Sequence, residues 1–422
     1  MRRNWAGNHI FAARELREAG TVAQVQEIVA GADRVRVLGA GHSFNDIADS
    51  AGIQLSLAGL ERVVRVDPQR RRVTVDGGIR YGDLAPVLQA RGWALANLAS
   101  LPHVSVAGAV MTATHGSGSE IGNLATQVVA FDLVTAGGDI VTLSREGDGD
   151  LFRGAVVSLG ALGAVVGLTL AVEPAYLVRQ DVFTGLPYAV LEAEFDAVFC
   201  AGTSVSVFAD WRGDRAGSVW VKDRVADGVG AASAGRRDFF GAVPAERKMH
   251  PLPEGDAGDC TEQMGVPGPW HERLPHFRMG FAPSHGAEIQ AEFFVPRENG
   301  GRAVAAMRRH GARLAPVLMV SELRTVAGDD LWLSPASRGP CVGVHFTFRR
   351  DPEGVWAVLP AIEADLAALG AVPHWGKVTT MDPAVIRARM PRLAEFGDLV
   401  RSLDPGGKFG NAYVERILGA GD

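Results

Sequence analysis

The chain has 422 residues, 47% hydrophobic and 21% charged, with a formal net charge of −6. That composition supplies apolar material for at least two cores, and its mild acidity argues against nucleic acid or an anionic membrane as partner. Its three cysteines, Cys200, Cys260 and Cys341, are odd in number and widely spaced. They make neither a disulfide framework nor a zinc knuckle and read as small buried thiols in a reducing compartment.

In chain order, MRRNWAGNHIFAAREL opens with two arginines but has no apolar run behind them. The expectation is a cytoplasmic protein without a signal peptide. VAQVQEIVAGA then reads as a helix, RVRVLGAG as a strand entering a glycine loop, and RVVRV with RRVTVDGG as a hairpin. YGDLAPVLQARG is a helix ending at Gly92, and VVAFDLVTAGGDIVTL is two strands joined at Gly137-Gly138. Residues 154–172 carry no charge and are nearly long enough to span a bilayer. Four glycines, Ser158 and Thr169 favour a buried helix end, a glycine turn and a strand from Leu168 to Val172. No membrane span is expected.

Glu173-Pro174-Ala175 closes this region, and strands with polar residues at alternate positions come next: SVSVFADW, AEIQAEFFV, LMVSELRTV and VGVHFTFRR. RAVAAMRRHGARLA and GVWAVLPAIEADLAALG read as helices. Val225 to Gly258, rich in Gly, Ala and Pro, reads as a long surface excursion. From about Trp375 the tail returns to loops and short helices, ending LDPGGKFGNAYVERIL. The fold class is α+β with much antiparallel pairing.

Two segments carry the cofactor signal. After RVRVL comes Gly39-Ala40-Gly41-His42-Ser43-Phe44-Asn45. A glycine turn after a strand can set backbone N–H groups around a phosphate. It is not the dinucleotide fingerprint, because Phe44 stands where a third glycine would be. Alone, the loop could be a mere turn and His42 a surface or capping histidine. Residues 100–118, SLPHVSVAGAVMTATHGSG, are dense in small side chains and hydroxyls and could lie flat beneath a pyrophosphate.

In the second half, residues two apart on a strand share a face. Gln290 with Glu292, Glu322 with Arg324, and His345 with Thr347 therefore point the same way. Such faces are either solvated or line a cavity of hydrogen-bonding groups. His271-Glu272-Arg273-Leu274-Pro275-His276 has the look of a zincin helix, but its histidines are five apart and Pro275 spoils the helix. No metal is expected, and no G-x-x-x-x-G-K-[ST] loop suggests ATP.

GAGHSFND, NLASLPHVSVAGAVMTATHGSG, SLGALGAVVGLTL and the LDPGGKF-x-N tail resemble the vanillyl-alcohol-oxidase-type FAD enzymes, and within them the bacterial alditol-oxidising branch. DCTEQMGVPGPWHERLPHFR and PHWGKV extend the resemblance over nearly the whole chain. It implies an FAD-binding domain from residues 1–175 and 376–422, with a substrate (cap) domain from 176–375. It implies covalent FAD on His42, with the cofactor along Val37, Leu38, Gly39, Ala40, Gly41, His42 and Ser43. Ser100, Ser105, Gly108, Thr112, Ala113, Thr114, His115 and the backbone of Val165 would complete that site. No cysteine lies in a segment matching the second flavin bond of some relatives, so a single attachment is expected.

The substrate cluster implied is Ser100, Gln290, Glu322, Arg324, His345, Thr347 and Lys377. Lys377 would accept the hydroxyl proton, its pKa lowered by Arg324 beside it. Arg324 would stabilise the alkoxide, and Glu322 would orient Arg324 or take a substrate hydroxyl. The activity implied is oxidation of the terminal alcohol of polyols such as xylitol and sorbitol by O2, giving H2O2, in a monomer. The alternatives are a sugar-lactone oxidase or dehydrogenase of the same fold, or a flavin-binding relative without catalysis.

Overall fold

The computed structural model describes residues 1–225, 238–252, 254–281 and 286–419. The first unit is a three-stranded parallel sheet in the order β1 (Glu15–Glu18), β3 (Ile53–Ser56), β2 (Val35–Leu38). Helix α1 (Val22–Gly31), capped by the Thr21 side chain on the Gln24 N–H, packs Val25 and Val29 against it. The glycine loop leaves the C-terminal end of β2, where ligands of open parallel sheets usually sit.

Beside it lies a five-stranded antiparallel sheet. Its strands are β4 (Val64–Asp67), β5 (Arg72–Asp76), β9 (Ala164–Ala171), β7 (Val128–Val134) and β8 (Ile140–Ser144), in that order. The β7–β8 hairpin turns at Gly138, whose φ of +89° suits glycine. The uncharged stretch 154–172 is a buried helix end, a glycine turn and β9 at the centre of this sheet. Among the described residues no helix is long and apolar enough to cross a membrane. Two short strands, β6 (Trp93–Ala94) and β10 (Glu173–Pro174), pair with each other as the chain leaves for the next sheet.

A nine-stranded sheet then takes in everything from β11 (Leu177–Thr184) to β19 (Val372–Pro373). It includes β12 (Ser204–Ala209), β13 (Ser218–Val225), β14 (Val243–Pro244), β15 (Gly268–Pro269), β16 (Glu288–Pro296), β17 (Leu318–Val326) and β18 (Cys341–Arg349). The central order is β13-β12-β17-β18-β16. Register places Glu292, His345, Glu322 and Phe208 in one row across β16, β18, β17 and β12. Gln290 opposes Thr347 two residues along. The alternating polar residues therefore converge on one face instead of meeting bulk water.

Two expectations need correction. Residues 226–237, within the expected surface excursion, lie outside the described residues. The segment from Asp238 onward is not all surface: Phe239 and Ala242 are buried, Phe239 stacks on Phe183 at 5.1 Å, and β14 pairs with β11. Apolar side chains among the glycines and prolines find the sheet edge. Of the thiols, Cys260 and Cys341 are buried, whereas Cys200 is exposed and accepts a hydrogen bond from Arg297 at 2.9 Å.

Candidate active site

One cleft, about 2160 Å³ counted out to its open mouth, runs from the glycine loop to the polar face of the nine-stranded sheet. Its floor is bare backbone. A Cβ on Gly39 would lie 2.5 Å from Ser105 Oγ, and one on Gly108 2.7 Å from the same atom. The loop and the small-residue segment thus touch each other, as a pyrophosphate cradle requires. Across from them, a Cβ on Gly77 would strike the Val165 carbonyl at 2.0 Å. Residues 37–43 line the cleft, as do Ser100, Ser105, Gly108, Thr112, Thr114, His115 and Val165. Ala113 does not: at φ +51° it turns into the core, and its N–H goes to the Val110 carbonyl. These surfaces fit a flavin dinucleotide.

His42 stacks on Trp5 with ring centroids 4.9 Å apart, and its Nδ1 lies 3.1 Å from the Ala40 carbonyl. Burial lowers its pKa to about 4. The imidazole is neutral near pH 7 and keeps a nitrogen lone pair.

The same loop holds the lysine. Asn45 Nδ2 donates to the carbonyls of Trp375 (2.8 Å) and Lys377 (2.9 Å), and the Phe44 N–H to Gly376 (2.7 Å). The Lys377 ammonium lies 4.8 Å from the centre of the Phe44 ring and donates to Gln290 Oε1, whose amide in turn donates to Glu288. Its pKa falls to about 8, first through burial, with Arg324 adding to the drop while Glu292 and Glu288 oppose it. The expected cause was Arg324; desolvation is the larger one, because the strand face is closed over by the loop.

Arg324 is the hub of the sheet-side cluster. Its Nη1 donates to Ser100 Oγ at 2.9 Å, its Nη2 to Glu292 Oε1 at 3.2 Å, and its Nε lies 3.5 Å from Glu322 Oε1. Glu292 Oε1 also takes His115 Nε2 at 3.0 Å, while Oε2 lies 3.3 Å from His345 Nδ1. Opposite Arg324 on β18 stands Gly343, where a Cβ would come within 3.0 Å of Glu292 Oε1. His345 Nε2 lies 3.2 Å from Thr347 Oγ1. Burial works to raise both carboxyl pKa values. For Glu322 the charges of Arg324, His276 and His345 with the His276 hydrogen bond together outweigh it, and for Glu292 the charges and hydrogen bonds of His115 and His345 do, so both stay below the ordinary range. Arg324 Nε and His345 Nδ1 are buried without a hydrogen bond.

All seven residues of the expected substrate cluster therefore meet in this cleft. Sequence reasoning missed two more that line it. Glu292 was visible as the face partner of Gln290, but nothing local told that His115 would reach it from the small-residue segment 100–118. His276 was set aside with the zincin-like stretch. No group of three metal-ligating side chains exists among the described residues, yet His276 lies 2.7 Å from Glu322.

The cleft's two halves match two known families. An FAD-binding-domain model matches residues 14–144, and a D-arabinono-1,4-lactone oxidase model matches residues 287–417. The chain is 47% identical over 419 residues to an alditol oxidase of a Streptomyces species, covering 98% of each. It is 31% identical over 444 residues to L-gulono-1,4-lactone dehydrogenase of Mycobacterium tuberculosis, covering 99% of this chain and 98% of the relative. Among solved structures, cholesterol oxidase from B. sterolicum superposes with a TM-score of 0.76 at 13% identity, over 99% of this chain and 96% of that one, which speaks to the fold alone. The chain belongs to the vanillyl-alcohol-oxidase-type family of FAD enzymes, in the group that includes the Streptomyces alditol oxidase.

Proposed function

We propose that this chain is an alditol oxidase, converting the terminal CH2OH of a polyol and O2 into the aldehyde and H2O2. In this reading residues 1–175 and 376–422 hold FAD through a bond to His42, and residues 176–375 form the cap over the substrate. One observation carries it: Lys377, Arg324, Ser100, His345 and Thr347 meet at the sheet-side end of a cleft whose other end is the backbone cradle. A polyol offers a hydroxyl on every carbon, and such a cluster offers a partner for each. Three free thiols fit a cytoplasmic setting.

When bound, flavin supplies the hydride acceptor and the route for electrons to oxygen. The protein's part is the proton and the grip. Lys377, with a pKa of about 8, takes the hydroxyl proton at Nζ. The Arg324 guanidinium faces the negative charge that develops on that oxygen. Further hydroxyls of the polyol fall to Ser100, Thr347 and Gln290, beside the ion pairs of Arg324 with Glu322 and of His345 with Glu292. His42, neutral through burial, offers a lone pair to the flavin.

The holoenzyme should bleach anaerobically with xylitol or sorbitol and form peroxide in air. Glycerol should react more slowly, because remote hydroxyl contacts lower the transition state. An aldonolactone outperforming both would promote the lactone-oxidising reading, and a flavin that no polyol bleaches would leave only a binding protein. Acid-precipitated protein should keep its flavin fluorescence, and His42→Ala should release it. Flavin that washes from the wild type in acid would remove His42 from that role.

A further inference from the structure

Behind Glu322 lies a pair that the chemistry above leaves unused. Lys222 on β13 and His276 in a later loop are 1% and 4% exposed. The Lys222 ammonium donates to the Leu274 carbonyl at 2.5 Å, the Pro275 carbonyl at 3.3 Å and His276 Nδ1 at 3.2 Å. These three acceptors account for all three N–H bonds. On the far side of the ring, His276 Nε2 stands 2.7 Å from Glu322 Oε1. The rings of Trp220 and Phe208 pack edge-on against the imidazole, at 5.2 and 5.6 Å.

The two neighbours dictate one tautomer. Burial lowers the Lys222 pKa to about 7, and its ammonium form can only donate, so with that form Nδ1 carries the lone pair. An ionised carboxylate can only accept, so the proton must sit on Nε2. Glu322 Oε1 is then taken by His276 and faced by Arg324 Nε at 3.5 Å. Among the described residues Oε2 makes no hydrogen bond, and Glu322 lines the cleft.

We propose that Lys222 fixes the tautomer of His276, and that His276 so orients Glu322 that its Oε2 accepts a hydroxyl of the polyol. Lys222 and His276 are positioning residues for substrate affinity. The inference rests on the alditol oxidase reading. Arg324 keeps Ser100 and Glu292 whatever happens to His276, so losing the relay weakens binding and spares the chemical step.

The test is the dependence of flavin reduction on xylitol concentration in the holoenzyme. His276→Leu should raise the half-saturating concentration by about tenfold to a hundredfold, the value of a hydrogen bond to a charged group, and change the limiting rate little. His276→Gln should stay near wild type, since its amide N–H can replace Nε2–H and its carbonyl can replace Nδ1. Lys222→Met should raise the half-saturating concentration as His276→Leu does but by less, because Nδ1 loses its donor while Glu322 still draws the proton to Nε2. The double variant Lys222→Met/His276→Gln should recover, since glutamine has no tautomer to lose. Gln as poor as Leu, or a double variant no better than Lys222→Met, overturns the proposal and leaves Lys222 as a support for two carbonyls. If Lys222→Met gives no folded holoenzyme by melting and flavin content, the Leu and Gln pair at position 276 decides. A wild type that no polyol reduces would overturn the alditol oxidase reading and this inference with it, whereas a wild type reduced by xylitol with Gln as poor as Leu at position 276 overturns the inference alone.

Discussion

Lys377→Met is expected to slow anaerobic flavin reduction by xylitol by a factor on the order of 10²–10⁴, the usual worth of a general base. Burial and Arg324 bring the lysine to about 8, against the opposing charges of Glu292 and Glu288. At neutral pH a minority of the enzyme thus holds the free amine that can take a proton. The wild-type reduction rate should rise with pH through about 8, as Lys377 loses its proton, and level off above. The Met variant should lack that limb. Re-oxidation of chemically reduced enzyme by O2 should change far less, since the substrate proton has gone by then. Because Lys377 also donates to Gln290 and covers Phe44, a purely packing role would weaken polyol affinity but spare the rate at saturation. Stopped-flow reduction across pH separates the two. A variant reduced at the wild-type rate by saturating xylitol would take Lys377 out of the chemistry.

What could be read in the sequence divides along the range of the forces involved. The glycine loop, the hairpin at Gly137-Gly138 and the alternating strands were legible because turn dihedrals and strand periodicity act over a few residues. Alternation alone put Gln290 with Glu292 and Glu322 with Arg324 on common faces. The partners across those faces were not legible. His115 meets Glu292 from 177 positions away, and only the packing of two sheets brings them together. His276 was hidden differently: its stretch mimicked a metal motif, and its value lies in a tautomer set by Lys222, on a strand more than fifty residues earlier. The cause of the Lys377 shift was misread for the same reason, since desolvation depends on what covers a side chain and not on its neighbours along a strand. Gly-rich sequence after Val225 gave no sign that Phe239 would dock on Phe183, because two adjacent aromatics among glycines and charges have no period to betray which one is buried.

Arg324→Met is expected to harm both stability and chemistry. Arg324 is 6% exposed and is the cation shared by Glu292 and Glu322, themselves 2% and 6% exposed. Removing one partner of such a buried cluster leaves charges uncompensated and costs about 3–5 kcal/mol. The pH dependence has a definite sign. With Arg324 present the two carboxyls titrate below their ordinary 4.5, so their contribution to stability is present above that value and is lost as pH falls through the depressed one. Without Arg324, Glu322 loses the largest of the charges that oppose its burial and its pKa rises, so its protonation relieves the variant, while Glu292 keeps His115 and His345. The stability gap to wild type should thus be widest at pH 7 and narrow as pH falls through the higher Glu322 pKa of the variant toward the depressed one of the wild type. In the reaction, the variant should lose about 10²–10³ in limiting flavin reduction, the scale of one donor to a developing oxyanion. Arg324→Lys should recover much of the stability, since a charge returns between the carboxylates. It should recover little of the rate, because one ammonium cannot hold Ser100 and Glu292 while also facing the substrate oxygen. Denaturant unfolding at pH 7 and pH 4, beside stopped-flow reduction, measures both effects. A gap that widens at pH 4, or a Lys variant with the wild-type rate, would show that Arg324 is neither the shared counter-ion nor the group facing the alkoxide.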